Sequence, residues 1–268
     1  MNSPIVTLTT DWGLNDFFVG KFKGRLYSML PDVRIVDISH EIPPFDLKAA
    51  YFVVKNACLE YPEGTIHIID VNSSDTQDSP SVVVKYKGQF FICTDNGLPM
   101  ALFGGQEKEM VVIDRVFWDS NFFTFTAYDY FCKVAAMIVK GATMQEVGYA
   151  VEESEMKQMF VWSTNVKDDG LTAYVAYIDN YGNVDLNLSY EEFEMYRKGR
   201  PFEMSVHDAK LTEVSKGYEK RDASSRRLDK LTLTVSSAGC LQLAIYGQST
   251  EQLFGLKINE NIEIKFLG

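Results

Sequence analysis

The sequence predicts two domains: an α/β N-terminal domain with a mostly parallel sheet over residues 1–155, then a smaller all-β domain over 170–268. Three observations predict this. Short apolar runs alternate with amphipathic stretches through the first half. A polar, charged stretch follows Gly148. From about Thr172 the chain becomes a series of short alternating strands.

In the first half, PIVTLTTD reads as a strand, FFVGKFKGRLYSMLP as a helix, RIVDIS as a strand, DLKAAYFVVKNACLEYP as a helix and TIHIIDV as a strand. Strand-helix-strand alternation places ligand sites at the C-terminal ends of parallel strands, so Asp11 and Asp70 outrank acids elsewhere. SVVVKYKGQFFICTDNG reads as a hairpin or two sequential strands around Lys87-Gly88, and DYFCKVAAMIVKG as a helix ended by Gly141. The polar EESEMKQ stretch reads as a linker or an exposed connection between domains. In the second half LTAYVAYID, FEMSVHDAKL, LDKLTLTVSS, CLQLAIYG and ENIEIKFLG read as strands, and the hydrophilic KGYEKRDASSRR as a loop.

Composition narrows the function. With 268 residues, 46% of them hydrophobic, the chain can bury a sizeable core. A formal net charge of -11 repels polyphosphate and anionic lipid, which excludes nucleic acid and membrane surfaces as partners and favours small molecules. No apolar run approaches eighteen residues and MNSPIVTLTTD lacks a signal-peptide pattern, so a cytoplasmic location is expected. Cys58, Cys93, Cys132 and Cys240 are widely spaced within apolar runs, as buried thiols are, and not as metal pairs or a disulfide framework.

TTDWGLNDFFVGKFKG sets Asp11, Asp16 and Gly13 in a strand-to-helix turn. A carboxylate there accepts hydrogen bonds from a ribose diol, while Gly13 lets the backbone approach a ligand; a helix N-cap is the alternative for one acid. VDISHEIPPFDLKAA sets His40 beside Glu41, then a stiff Pro43-Pro44-Phe45 that suits a pocket wall or a plain loop before a helix capped by Asp46. His40, His67 and His207 are too dispersed to assemble a metal triad, so no metal and no separate cofactor is expected.

The ordered runs TLTTDWGLNDFFVGKFKG, VDISHEIPPFDLKAA, EYPEGTIHIIDV and CTDNGL, continued by YIDNYGNVDLNL and VSSAGCLQLAIYG, resemble the S-adenosylmethionine hydroxide adenosyltransferase family, whose relatives include fluorinating and chlorinating enzymes. The resemblance spans nearly the whole chain. It implies a barrel-like second domain and a homotrimer whose sites lie at subunit interfaces. By position, Asp11 resembles the acid that grips the ribose hydroxyls, Asp16 a residue near the methionine end and Phe45 the aromatic wall; Asn96 of CTDNGL falls with the substrate-binding residues. Asp179 and Asn183 resemble the groups that hold the methionine amine and the adenine, and Ser237 stands where the family contacts the methionine carboxylate. A zwitterionic amino acid needs an anion for its ammonium and donors for its carboxylate, which suits these types.

The implied reaction is in-line attack of water or hydroxide at C5′ of S-adenosylmethionine, with methionine leaving as a neutral thioether. The family activates the nucleophile with an Asp, an Arg and a His, of which Asp70 matches the first. VNSSDTQDSPS replaces the arginine region with residues such as Gln77 or Ser79, and Thr126 occupies the histidine position. A carboxylate beside the attack position repels halide, which argues against halogenation; halogenating relatives carry a tyrosine there. The expectation is therefore a hydrolase forming adenosine and L-methionine, with Asp70 helped by Ser73 or Thr126. The alternative is a catalytically silent binder of adenosine or S-adenosylmethionine on the same scaffold.

Overall fold

The structure is a computed structural model that describes residues 3–114, 124–218 and 231–268. It divides into two compact units, Met1–Val161 and Trp162–Gly268.

Unit 1 follows the predicted alternation: β1 (Ile5–Thr10), α1 (Phe18–Met29), β2 (Arg34–Ser39), α2 (Leu47–Ala57), β3 (Ile66–Asp70), β4 (Ser81–Tyr86), β5 (Gln89–Thr94), α3 (Leu98–Phe103), β6 (Glu109–Ile113), α4 (Cys132–Val139), α5 (Met144–Val147) and β7 (Gly148–Ala150). The sheet runs β2-β1-β3-β5-β4-β6-β7. It fits the expected mostly parallel sheet broadly and is mixed in detail: β2, β1, β3 and β5 are parallel, while β4, β6 and β7 join antiparallel. The reversal starts at the β4–β5 hairpin, where Lys87 and Gly88 both take left-handed φ, +46° and +72°, the turn that matches strand twist.

Both faces of the sheet are covered, which explains why β1 and β3 lack an exposed face and bury even Thr7, Thr9 and His67. On one face Val6, Leu8, Ile66 and Ile68 pack with Phe22 and Leu26 of α1 and with Val134 and Ala135 of α4. On the other, Ile69, Val82, Val84 and Phe91 pack with Ala50 and Val54 of α2 and Leu98 of α3. Asp46 caps α2, accepting from the N–H groups of Lys48 and Ala49 at 3.0 Å each. The helix predicted over DYFCKVAAMIVKG begins as a π-helical turn, Ala127–Phe131, and stops before Gly141 at φ +94°.

EESEMKQ is largely exposed, as expected, but pinned to unit 1. Met156 is buried in the second core, Glu153 pairs with Lys108, and Lys157 N–H bonds both oxygens of Asp95 at 3.1 and 3.2 Å. One apolar anchor and one buried acceptor thus hold an otherwise exposed segment.

Unit 2 comprises β8 (Asn165–Lys167), β9 (Gly170–Ile178), β10 (Val184–Ser189), α6 (Tyr190–Arg197), β11 (Phe202–Val206), β12 (Ala209–Leu211), β13 (Thr232–Val235), β14 (Cys240–Ala244), α7 (Thr250–Phe254) and β15 (Asn261–Phe266). Its antiparallel sheet runs β12-β11-β15-β9-β10-β14-β13, with β8 also on β9. Beyond β12, Ser215 N–H bonds the carbonyl of Leu233 at 2.8 Å and its own carbonyl accepts from Thr234 Oγ1 at 3.0 Å. That contact brings the two ends of the sheet together, so it is nearly closed and barrel-like around Leu171, Val184, Leu186, Phe193, Leu243 and Ile264. Of the KGYEKRDASSRR stretch, residues 219–227 lie outside the described residues, as do 228–230 at the start of LDKLTLTVSS.

Cys58, Cys93 and Cys132 are buried and Cys240 is half-buried; all four are thiols. Burial pushes the Cys58 and Cys132 thiols up to about 12. Among the described residues no helix is long and apolar enough to cross a membrane, and no group of three or more His, Cys, Asp and Glu forms a metal cage.

Candidate active site

In unit 1 the parallel register sets Thr10 beside Asp70, so the first residue after β1 and the last of β3 share one edge of the sheet. Asp11 gathers three loops there. Its Oδ2 accepts the N–H of Phe45 at 2.9 Å and that of Asn72 at 3.2 Å. Both donors are non-glycine residues in left-handed backbone, φ +67° and +48°, a conformation that costs on the order of 1 kcal/mol each and persists where surroundings hold it. Phe45 consequently presents an exposed ring, 73% accessible, at the rim. Gly13, also left-handed at φ +68°, donates to the carbonyl of His40 at 2.7 Å.

Asp70 lies beneath this rim, only 5% exposed. Its Oδ2 accepts the indole N–H of Trp12 at 2.7 Å, whereas its Oδ1 is buried without a hydrogen-bond partner. Burial drives the carboxyl up to about 7 and the Asp11 charge adds to this, while the Ser73 hydroxyl and the Trp12 indole oppose it. A carboxyl poised near neutral pH with one unengaged oxygen is suited to accept a proton. Asn96 steadies the loop that follows: its amide donates to the carbonyls of Val71 and Asn72 at 3.1 and 3.3 Å, and its Oδ1 accepts from Leu98 N–H at 3.2 Å. Thr76 and Ser79 bond each other, and Asp75 accepts from Ser81 N–H at 2.7 Å, so the rewritten VNSSDTQDSPS loop is internally braced.

Thr126 is buried at the start of the π-helical turn, next to Phe125, whose ring meets Trp12 edge-on at 5.0 Å. Asp16 is exposed in the turn between β1 and α1. His40 is a structural residue. Its Nδ1 is 2.8 Å from Thr10 Oγ1 and its Nε2 is 3.1 Å from Asp37, which also accepts from Lys23 at 2.6 Å. Burial works against the Asp37 charge, yet Lys23 and His40 hold that carboxyl below its ordinary value.

In unit 2, Asp179 and Asn183 are hydrogen-bonded to each other. Asp179 Oδ1 accepts from the N–H groups of Tyr181 and Asn183 at 2.8 and 2.9 Å, and Asp179 Oδ2 accepts from Asn183 Nδ2 at 2.8 Å. The result is a closed Asx turn over Gly182. Behind it lies Asp185, 3% exposed, which accepts from Gln242 at 3.2 Å; Tyr218 in turn donates to Gln242 at 2.8 Å. Burial raises the Asp185 carboxyl, with Asp179 adding to the shift and Ser236 and Gln242 opposing it. Ser237 is exposed in the turn that joins β13 to β14.

The structure thus brings Asp11, Phe45, Asp70 and Asn96 to one edge of unit 1, and Asp179 and Asn183 into one turn of unit 2. Sequence reasoning missed Trp12, Asp185, Gln242 and Tyr218. A signal existed for Trp12, the one side chain with a ring N–H directly following the strand-end acid. Asp185 was hidden because VDLNLS looks like a strand with an outward acid; the side chain does lie opposite the core residues Val184, Leu186 and Leu188, yet it is buried beside its cross-strand partner Gln242.

Fold and site define an α/β unit with paired strand-end carboxylates, followed by an antiparallel barrel-like unit that carries a second pair of acids. The chain belongs to the SAM hydroxide adenosyltransferase family: residues 6–148 match its N-terminal domain and residues 173–263 its C-terminal domain. It is 27% identical to an (R)-S-adenosyl-L-methionine hydrolase of Salinispora tropica over 98% of both chains, and 29% identical to one of Methanocaldococcus jannaschii over 70% of this chain and 68% of that protein. A solved structure of a conserved protein from Thermotoga maritima superposes with a TM-score of 0.82 at 26% identity, covering 97% of this chain and 99% of that one.

Proposed function

We propose that this protein hydrolyses S-adenosylmethionine to adenosine and L-methionine. The observation that carries the reading is the buried Asp70 carboxyl, held near neutral with Oδ1 unengaged at the ends of the parallel strands. The hydrolases among its relatives support the substrate. A water oxygen forms the bond to C5′ as the C5′–S bond breaks, the electron pair leaving with sulfur. The sulfonium becomes a neutral thioether and needs no proton, so the only proton to manage is that of the water, and Asp70 Oδ1 receives it. Asp11, with Phe45 at the rim, engages the ribose. Ser73 and Thr126 assist Asp70 in place of the family's arginine and histidine. No separate cofactor or metal takes part.

The family resemblance further supports a homotrimer in which Asp16, Asn96, Asp179, Asn183 and Ser237 complete substrate binding at subunit interfaces. The thiol state of all four cysteines is in keeping with a cytoplasmic location.

Chromatography of purified protein incubated with S-adenosylmethionine is expected to show adenosine and methionine in equal amounts. Asp70→Ala is expected to lose turnover about 10²–10⁴-fold, the value of one proton-transfer group, while retaining ligand binding. Asp11→Ala is expected to lose binding. Binding without turnover in the unsubstituted protein would instead establish the silent binder. Light scattering is expected to give the mass of three chains; a monomer mass would remove the interface sites from the proposal.

A further inference from the structure

We infer that Trp12 is the positioning residue of this site: its indole N–H fixes Oδ2 of Asp70 and so leaves Oδ1 as the oxygen that takes the proton. The inference rests on the reading of Asp70 as the base. The 2.7 Å bond from Trp12 Nε1 reaches a carboxyl that is 5% exposed and whose other oxygen is buried without a partner. A carboxylate with one oxygen tied by a strong donor can rotate little, so its second lone-pair set keeps a fixed direction.

The donor is itself immobilised on three sides. Phe125 meets the indole edge-on at 5.0 Å, Phe22 lies tilted at 5.4 Å, and His40 stacks at 6.0 Å with 17° between the planes. The backbone N–H of Trp12 reaches Thr10 Oγ1 at 3.4 Å, and the same hydroxyl holds His40. Trp12 thereby links the β1 end, α1, the β2–α2 loop and the segment before the π-helical turn to one oxygen of Asp70.

The charged and titratable groups around Asp70 do not duplicate this role. Asp11, at the end of β1, adds negative charge. Cys132, from α4, feels the Asp70 charge but is a thiol pushed up to about 12, with Arg25 and Asp129 acting on it in opposite senses. His40 faces the indole with its ring nitrogens turned to Thr10 and Asp37. The Ser73 hydroxyl is near enough to favour the ionised carboxyl, although neither its Oγ nor Asp70 Oδ1 is engaged in a hydrogen bond. Removing the indole N–H therefore leaves burial and Asp11 opposed by Ser73 alone.

The test replaces the N–H while keeping the ring. Trp12→Phe, and benzothienyl-alanine at position 12, which carries sulfur where the indole has N–H, are compared with the unsubstituted protein in pH–rate profiles. The acid limb of kcat is expected to move up by about one to two pH units in both, with turnover at pH 7 reduced about 10-fold and regained near pH 9. A ¹³C carboxyl titration of Asp70, assigned with Asp70→Asn, is expected to move by the same amount. A limb and a titration that both stay in place in a folded variant overturn the role. Should the unsubstituted protein show no turnover, the hydrolase reading fails, while the titration still decides whether Trp12 governs this carboxyl.

Discussion

Asp70→Asn is expected to stabilise the protein above neutral pH and to expose a hidden acid lability. The folded carboxyl titrates at about 7 against an ordinary value of 3.8, so between those values the unfolded chain has lost a proton that the folded chain keeps. Stability contributed by Asp70 therefore falls as pH rises through this window, by up to about 4 kcal/mol on the 1.36 kcal/mol-per-unit scale. His67 does the reverse. It is fully buried on β3, its Nδ1 2.7 Å from Thr7 Oγ1 and its ring stacked 4.6 Å from Phe91, and burial lowers it from 6.5 to about 4. Below 6.5 the unfolded chain gains a proton that the folded chain refuses, and stability falls as pH drops toward 4, by about 3 kcal/mol. The two slopes oppose each other between about pH 4 and 6.5. In Asp70→Asn the His67 slope is no longer opposed by Asp70, so denaturant midpoints are expected to fall more steeply from pH 6.5 to 4 than those of the unsubstituted protein and to exceed them at pH 8. Midpoints that run parallel for the two proteins across pH 4–8 would show that Asp70 is not the neutralised group. The base is thus a built-in cost to the fold, as functional sites commonly are.

Gly182→Ala is expected to destabilise unit 2 by about 2–5 kcal/mol. Two causes add. Gly182 has φ +79°, where a side chain strains the backbone by about 1–2 kcal/mol. An added Cβ would also lie 2.1 Å from Ser249 Oγ and 2.9 Å from Ser249 Cα, an overpacking that costs about 1–3 kcal/mol. Ser249 caps α7, accepting from Gln252 N–H at 3.1 Å, and Gly182 O accepts from Glu251 N–H at 2.9 Å, so the turn and the helix start cannot separate without losing bonds. Urea unfolding followed by circular dichroism measures the loss; a change below about 1 kcal/mol would show that the cap of α7 yields freely. Because the turn also holds Asp179 and Asn183, a folded fraction of this variant is expected to bind ligand more weakly.

Legibility in the sequence followed how local the determining interaction was. Strand and helix positions in unit 1 were readable because each buries an apolar stripe, and the cap at Asp46 because it is completed within three residues. The mixed sheet was not, since antiparallel joining of β6 to β4 depends on how distant strands pair. The same held for EESEMKQ, whose order comes from a single buried methionine and the carboxylate of Asp95. In the site, Asp11 and Asp70 were visible as acids at strand ends. Their division of labour was not: Asp11 collects backbone donors from two strained loops, and Asp70 is starved of them. Trp12 and Asp185 act only through partners 58 and 57 residues away, Asp70 and Gln242 respectively.

The distribution of the four thiols gives the molecule a chemical asymmetry. Three sit inside unit 1 in apolar surroundings that suppress the thiolate, and an electrophile or oxidant attacks the thiolate alone. Cys240 is the half-buried one, at the start of β14 beside the turn that carries Ser237, with its thiol donating to the carbonyl of Ala238 at 3.8 Å. Alkylation of Cys58, Cys93 and Cys132 is thus expected only when unit 1 opens, which makes thiol labelling a clock for the unfolding of that unit.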